Sequence, residues 1–265
     1  MRALPPKSVI ACVHLLPTPG SPRFDGNVER IYATALAETD VFLRHGVDAL
    51  IVENFRDQPF LPNSVGPETT ATIAGVAREV VRASSVPVGV AVLRNDAAAA
   101  MSIAVATGAQ FIRVNVHTGA VLTEQGILTG QGHDTLRRRE QLKGTVDIWA
   151  DARVKHSVPF THHDLAAEIR DLNKSADGII VSGELTGVEA LPQDLKVAQE
   201  NSSAPVYVGS GVTAVNLAQQ FDSADGFIVG SDFKEDGVAA RPVEEGRVKT
   251  FMNEVRRLRE ASTPA

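Results

Sequence analysis

Short apolar runs alternate with amphipathic stretches from one end of the chain to the other. The runs are Val9–Val13, Ala49–Val52, Val86–Val92, Phe111–Val114, Asp147–Ala150, Gly178–Val181, Pro205–Val208 and Gly226–Val229. Most are continuous rather than alternating, the signature of strands buried on both faces. Between them lie segments with helical periodicity, among them Val28–Arg44, Thr69–Arg82, Ala97–Ala106, Asp164–Leu172 and Val243–Arg259. Eight strands, each followed by a helix except for one short turn, predict a parallel sheet built from βα units.

An internal echo supports that reading. Val47-Asp48-Ala49-Leu50-Ile51-Val52, Ala176-Asp177-Gly178-Ile179-Ile180-Val181 and Ala224-Asp225-Gly226-Phe227-Ile228-Val229 share a polar turn followed by an apolar strand. A doubly wound open sheet would use the same units. The count of eight, and the lack of a Rossmann-type glycine fingerprint after the first strand, favour a single (β/α)₈ TIM barrel. The segments after strands are long (Leu15–Gly26, Phe55–Gly66, His117–Gly130) and those before strands short, which places the elaborated loops on the C-terminal face. No linker or composition shift divides the chain, so one domain over residues 1–265 is expected.

Composition sharpens this picture only a little. Aromatic residues make up 5% of the chain, so small and β-branched side chains must fill the layers. A formal net charge of -6 provides no field for nucleic acid or anionic lipid. Cys12, the sole cysteine, sits in an apolar run and reads as a small core residue. Neither a signal-peptide pattern nor a bilayer-length apolar run is seen, so a cytoplasmic location is expected, compatible with a homo-oligomer.

The candidate chemistry clusters at strand ends. Gly209-Ser210-Gly211-Val212-Thr213 follows the seventh strand and Gly230-Ser231 the eighth, where barrels of this type bind phosphate on backbone amides. Either loop alone would read as a tight turn with helix-capping hydroxyls; two at these places predict a phosphate site. A ring of polar residues closes the apolar strands: His14, Glu53, Asn54, Asn95, Asp96, Arg113, Asn115, Asp151 and Ser182. Arg113 and Asn115 flank Val114 and so share one face of a strand. If that face is the interior, Arg113 needs an anionic partner such as Glu53 or Asp151. A structural ion-pair network competes with catalysis as the explanation.

Asp151-Ala152-Arg153-Val154-Lys155-His156 adds an acid, an amine and an imidazole in one loop. For Lys155, anion binding ranks first, proton transfer second and a Schiff base last. The catalytic candidates are therefore Glu53, Asp151, Lys155, His156 and His14. A divalent ion held by His14, Glu53 and Asp151 ranks behind these, because no HxH or HExxH spacing puts two ligands on one element. His162 and His163 diverge by about 100° on a helix and are poor co-ligands. His45 and His133 are expected near helix ends, and the basic C-terminal residues Arg247, Lys249, Arg256, Arg257 and Arg259 on the solvated face of a packing helix.

Several of these segments resemble the BtpA (BtpA/SgcQ) family in order and spacing. They include His14-Leu15-x-Pro17-x-Pro19-Gly20, Ile51-Val52-Glu53-Asn54-Phe55, Leu93-Arg94-Asn95-Asp96 and Phe111-Ile112-Arg113-Val114-Asn115. Gln125-Gly126-Ile127, Asp151-x-x-Val154-Lys155-His156, Val181-Ser182-Gly183, Gly209-Ser210-Gly211-Val212-Thr213 and Gly230-Ser231-x-x-Lys234-x-x-Gly237 continue the match. Glu124 stands where Asp is expected and Ala152 where Val is usual. The resemblance implies a barrel related to ribulose-phosphate-binding proteins and adds Lys234 to the ligand loops. It implies two functions: an enzyme of phosphorylated sugars or related metabolites (isomerase, epimerase, lyase or nucleosidase), or an accessory factor in the biogenesis of a membrane complex such as photosystem I. The expected partner is a phosphorylated small molecule, and no cofactor is specified.

Overall fold

The computed structural model describes residues 4–160, 164–183 and 186–262. His162 and His163 lie outside them. Eight parallel strands close into a barrel in the order β1 (Ser8–His14), β11 (Gly226–Val229), β10 (Val206–Val208), β9 (Gly178–Val181), β7 (Asp147–Ala152), β4 (Phe111–Val114), β3 (Val88–Ala91) and β2 (Ala49–Glu53). They coincide with the eight predicted runs to within two residues at almost every end. Helices α1 (Val28–His45), α2 (Pro67–Ala83), α3 (Ala97–Thr107), α4 (Gly132–Gln141), α5 (Leu165–Leu172), α6 (Pro192–Asn201), α7 (Leu217–Gln220) and α8 (Glu245–Ala261) surround it. Among the described residues no helix is long and apolar enough to cross a membrane.

Two predicted boundaries move for local reasons. The helix expected from Asp164 begins at Leu165, because the Asp164 carboxylate caps it by accepting from the Ala167 amide at 2.6 Å. The helix expected from Val243 begins two residues later, because Val243 bridges to Lys234. Of the basic residues on α8, Arg247 and Arg259 are not merely solvated: they pair with Asp232 and Asp48. His45 is the last residue of α1 and His133 lies in the first turn of α4.

The segment His117–Gly130, expected as a long loop, contains structure of its own. Strands β5 (Ala120–Thr123) and β6 (Gly126–Thr129) form an antiparallel hairpin, joined by β8 (Val158–Pro159) into a small sheet beside the barrel mouth. Its strands are short and mostly half exposed, so they lack the continuous apolar signal of the barrel strands.

Side-chain alternation sorts the barrel strands into two cores. Val9, Ala11, Val13, Leu50, Val52 and their equivalents face the helices. Ile10, Cys12, Ala49, Ile51, Ala91, Phe111, Trp149, Ile180, Tyr207 and Ile228 fill the interior. Three of these stack: Phe111 on Trp149 at 3.9 Å between centroids, and Trp149 on Tyr207 at 4.3 Å. Glycines on adjoining strands make room for the rings. A Cβ on Gly178 would stand 2.8 Å from Trp149, and one on Gly89 would overlap Phe111. One step further along the same inward faces come His14, Glu53, Arg113, Asp151 and Ser182, so the aromatic stack is the floor beneath a polar layer.

Lys234, expected at the ligand, is instead wholly buried behind the loop that follows β11. Its ammonium lies 2.7 Å from Glu38 Oε2 on α1 and 5.8 Å from the Phe42 ring centroid. A lysine inside a core requires such a carboxylate, and the pair fixes the β11 loop to the first helix. Removing one member of a buried pair costs about 3–5 kcal/mol, whereas replacing both by apolar groups is often neutral. Lys234→Ala should therefore lower stability to urea by about that amount, and Lys234→Met, which keeps the packing and leaves Glu38 its second cation Arg56 at 3.7 Å, should recover part of it. A single variant as stable as the wild type would show that the pair does not hold this loop.

Candidate functional site

The polar layer is organised by Arg113. Its guanidinium makes a two-pronged contact with Asp151, Nε to Oδ2 at 3.0 Å and Nη2 to Oδ1 at 2.9 Å. Nη1 reaches Glu53 Oε1 at 3.4 Å. Asn115 donates to Asp151 Oδ2 at 2.8 Å, and Ser182 to Oδ1 at 3.4 Å. Burial alone would raise the Asp151 pKa, but the Arg113 charge and these donors hold it below the usual carboxylate value. Burial raises the Glu53 pKa, with Arg113 and Lys155 opposing the rise. The expected partnership of Arg113 with Glu53 and Asp151 is thus present. Asp151 is a saturated counter-ion with four donors on it, an arrangement that disfavours the proton-acceptor role expected from the sequence.

Lys155 enters this layer from the loop after β7. Its Nζ donates to the Gly209 carbonyl at 3.0 Å, and the Arg94 guanidinium holds the Lys155 carbonyl from the other side. Burial, followed by repulsion from Arg113, lowers the Lys155 pKa to about 8. His156 turns away: its Nε2 lies 3.0 Å from Thr186 Oγ1, outside the polar layer.

His14 forms the opposite wall. Its ring stacks on Phe55 at 4.3 Å, and Nδ1 lies 3.0 Å from the Ala239 carbonyl. A carbonyl oxygen only accepts, so Nδ1 carries the proton and Nε2 presents a lone pair. Nε2 faces Glu53 Oε2 at 3.7 Å. Burial, then the Lys234 charge, holds the imidazole pKa well below its ordinary value, so the ring is neutral. Neither Phe55 nor the Ala239 carbonyl could be assigned to the site from the sequence. Cys12 could have been, since strand alternation puts it on the same face as His14.

A cavity of about 50 Å³ lies between these groups, lined by Cys12, His14, Glu53, Arg113, Lys155 and the loops Gly209–Val212 and Gly230–Ser231. The loop residues serve it unequally. The Ser210 hydroxyl donates to the Val188 carbonyl and accepts from the Gly183 amide, so only its backbone remains for a ligand. Gly211 has φ +73°, and a Cβ there would overlap the Glu189 backbone; packing alone accounts for the glycine. The amides of Thr213 and Ala214 are taken by Asn216 and Asp232. Those of Gly211, Val212 and Ser231 have no acceptor among the described residues. Gly230 leaves space over His14.

Three further candidates shape loops instead of lining the cavity. Asn54 accepts from the Leu93 amide at 2.7 Å and donates to Asp57 at 3.0 Å. Asn95 clamps Val116 through both its amide and its carbonyl, at 2.8 and 3.0 Å. Asp96 caps α3. Each is buried because a loop passes over it, and each has its polar atoms committed to that loop. Beside the cavity runs a groove of about 990 Å³ under the small sheet, lined by Leu122, Arg153, His156, Ser182, Leu191 and others.

Residues 5–257 match the family model described as BtpA family. An uncharacterised protein of Pyrococcus furiosus is 43% identical over 249 residues, covering 93% of this chain and 94% of its own. The photosystem I biogenesis protein BtpA of Synechocystis sp. is 39% identical over 247 residues, 92% of this chain and 86% of its own. The structure of N-(5'-phosphoribosyl)anthranilate isomerase from P. furiosus superposes with a TM-score of 0.59, covering 95% of this chain and 99% of that one. At 16% identity that likeness speaks for the barrel fold alone. By sequence, this chain belongs to the BtpA family.

Proposed function

We propose that the protein is an enzyme that acts on a phosphorylated sugar or a related phosphorylated metabolite by acid–base chemistry at the C-terminal face of the barrel. One observation carries this reading: backbone amides with no acceptor among the described residues and a buried lysine, its pKa lowered by that burial to about 8, border the same small cavity. The amides of Gly211, Val212 and Ser231 supply an anion cradle. Lys155 supplies a group that exchanges a proton near neutral pH, the range in which general acid–base catalysis is most efficient. Glu53, Asp151, Arg113 and Lys155 sum to zero formal charge, so a bound anion is attracted by the cradle without opposing a net negative site. A phosphorylated ligand is also what the name of the isomerase neighbour describes. Isomerase, epimerase, lyase and nucleosidase chemistry all fit such a site.

A second reading follows from the name of the Synechocystis relative: an accessory factor that binds a membrane complex. Leu122, Ile127, Val158 and Phe160 on and beside the small sheet are half exposed or more, an apolar surface that a binding factor requires. The two readings part at Lys155, which an accessory factor has no need of.

The anion cradle is tested at Ser231, which is only half-buried, whereas aspartate at Gly211 would collide with the protein itself. Two like charges about 4 Å apart repel by about 4 kcal/mol at an effective dielectric of 20. Ser231→Asp should therefore weaken binding of inorganic phosphate by at least about tenfold in calorimetry, with little change in melting temperature. Equal binding by both proteins removes the site.

The Lys155 ammonium should strengthen anion binding below its pKa and lose that contribution as pH rises through about 8. Affinity for sulfate, which does not titrate in this range, should be flat below that pH and fall above it, and Lys155→Met should bind weakly with no step. A pH-independent wild-type affinity would count against Lys155 at the ligand.

Asp151→Asn separates structure from catalysis. Leaving Arg113 buried with half its compensation should cost about 3–5 kcal/mol in urea denaturation, with sulfate binding retained. Lost turnover on an eventual substrate with an unchanged midpoint would instead restore Asp151 as the catalytic group.

A further inference from the structure

We propose that Cys12, His14 and Glu53 form a three-ligand site for a divalent transition-metal ion of the zinc class, with its fourth position open to the cavity. The sequence pointed to His14, Glu53 and Asp151, but Asp151 is saturated by Arg113 and its neighbours, and Cys12 stands in its place. Cys12 and His14 are alternate residues on the inward face of β1, and Glu53 is the register partner of His14 on β2. Their ligand atoms all lie within 4.8 Å of one another. Around tetrahedral zinc, with bonds of about 2.0–2.3 Å, ligand atoms stand about 3.3–3.7 Å apart. The His14–Glu53 separation of 3.7 Å already meets that spacing, and Cys12 Sγ, within 4.8 Å of both, has to close by no more than about 1.5 Å to complete it.

His14 carries the clearest mark of a metal ligand. Its Nδ1–H is donated to the Ala239 carbonyl and its ring is fixed against Phe55, which aims the Nε2 lone pair. Ligating histidines are held in this way by an acceptor on the far nitrogen. What Nε2 faces is another acceptor, Glu53 Oε2, and neither atom has a donor among the described residues. Two lone pairs directed at each other in a buried site need a proton or a cation between them. Glu53 is oriented in turn by Arg113 on its other oxygen, which leaves Oε2 for the ion.

Coordination breaks the Cys12 S–H bond, passes that proton to solvent and forms the sulfur–metal bond; thiolate and carboxylate then neutralise the dication, Arg113 and Asp151 neutralise each other, and the Lys155 ammonium is left as one net positive charge beside the open position. One thiolate, one imidazole and one carboxylate favour a borderline ion over magnesium or calcium. Three protein ligands with an open fourth position is the pattern of catalytic rather than structural zinc. Gly230 keeps that position clear, since a Cβ there would stand 3.1 Å from His14 Cε1 and 3.8 Å from the Cys12 Cβ. An oxygen of a phosphorylated ligand would fill it; this last point rests on the function proposed above, and metal binding itself does not.

Cobalt(II) added to the chelator-stripped full chain tests the site. Cys12 is the only cysteine, so a thiolate-to-cobalt charge-transfer band in the near ultraviolet has a single possible source. The band should saturate at one cobalt per chain, release about one proton per ion and be abolished by zinc. Cys12→Ala should lose it, and Glu53→Gln should weaken zinc binding by at least about tenfold. No band in the wild type, or unchanged zinc affinity in a Cys12→Ala protein with native circular dichroism, overturns the proposal. Cobalt uptake without sulfate binding would uphold the metal site and sink the phosphate cavity; sulfate binding without the band would do the reverse.

Discussion

A guanidinium enclosed in a barrel has to find its counter-charges within reach, and that requirement organises the mouth of this protein. Arg113 cannot move toward water, so Asp151 must come to it from the adjoining strand β7 and Glu53 from β2, across β3. Asn115 and Ser182 then fill the remaining lone pairs of Asp151. Once those groups are committed, what remains open in this layer among the described residues is small and specific: Lys155 beyond its one bond to Gly209, the His14–Glu53 edge, the Asn115 Oδ1 and a few backbone amides. The candidate chemistry is the residue of an electrostatic problem that the fold solves first.

The same economy of space explains the loops. The glycines after β10 and β11 looked like ligand contacts, yet Gly211 is demanded by the Glu189 backbone and Gly230 by His14. The amide of Gly211, with those of Val212 and Ser231 beside these glycines, has no acceptor among the described residues. Packing and binding are therefore not rival explanations at these positions. A loop squeezed against its neighbour until only glycine fits is also a loop whose N–H groups have lost their partners.

The barrel was legible because eight strands buried on both faces leave eight continuous apolar runs, and strand alternation alone placed Arg113 and Asn115 together. The Arg113 pairing with Asp151 followed from charge bookkeeping on the same pattern. Lys234 misled, because a glycine-rich motif cannot show that its lysine turns back into the helical layer to meet Glu38, 196 residues away in the chain. Asn54 and Asn95 misled for a related reason: a polar residue at a strand end serves a ligand or a crossing loop equally well, and only the loop path decides. The small sheet and the Ala239 carbonyl depend on contacts between distant segments, for which a local pattern carries no signal.

The stacked rings of Phe111, Trp149 and Tyr207 have a consequence for traffic. Three flat side chains laid across the bore fill it directly below the polar layer. A ligand in the cavity above them therefore rests on a floor that cannot yield, and the loops Gly209–Val212 and Gly230–Ser231 that line the cavity are the parts left to give way when it arrives or departs.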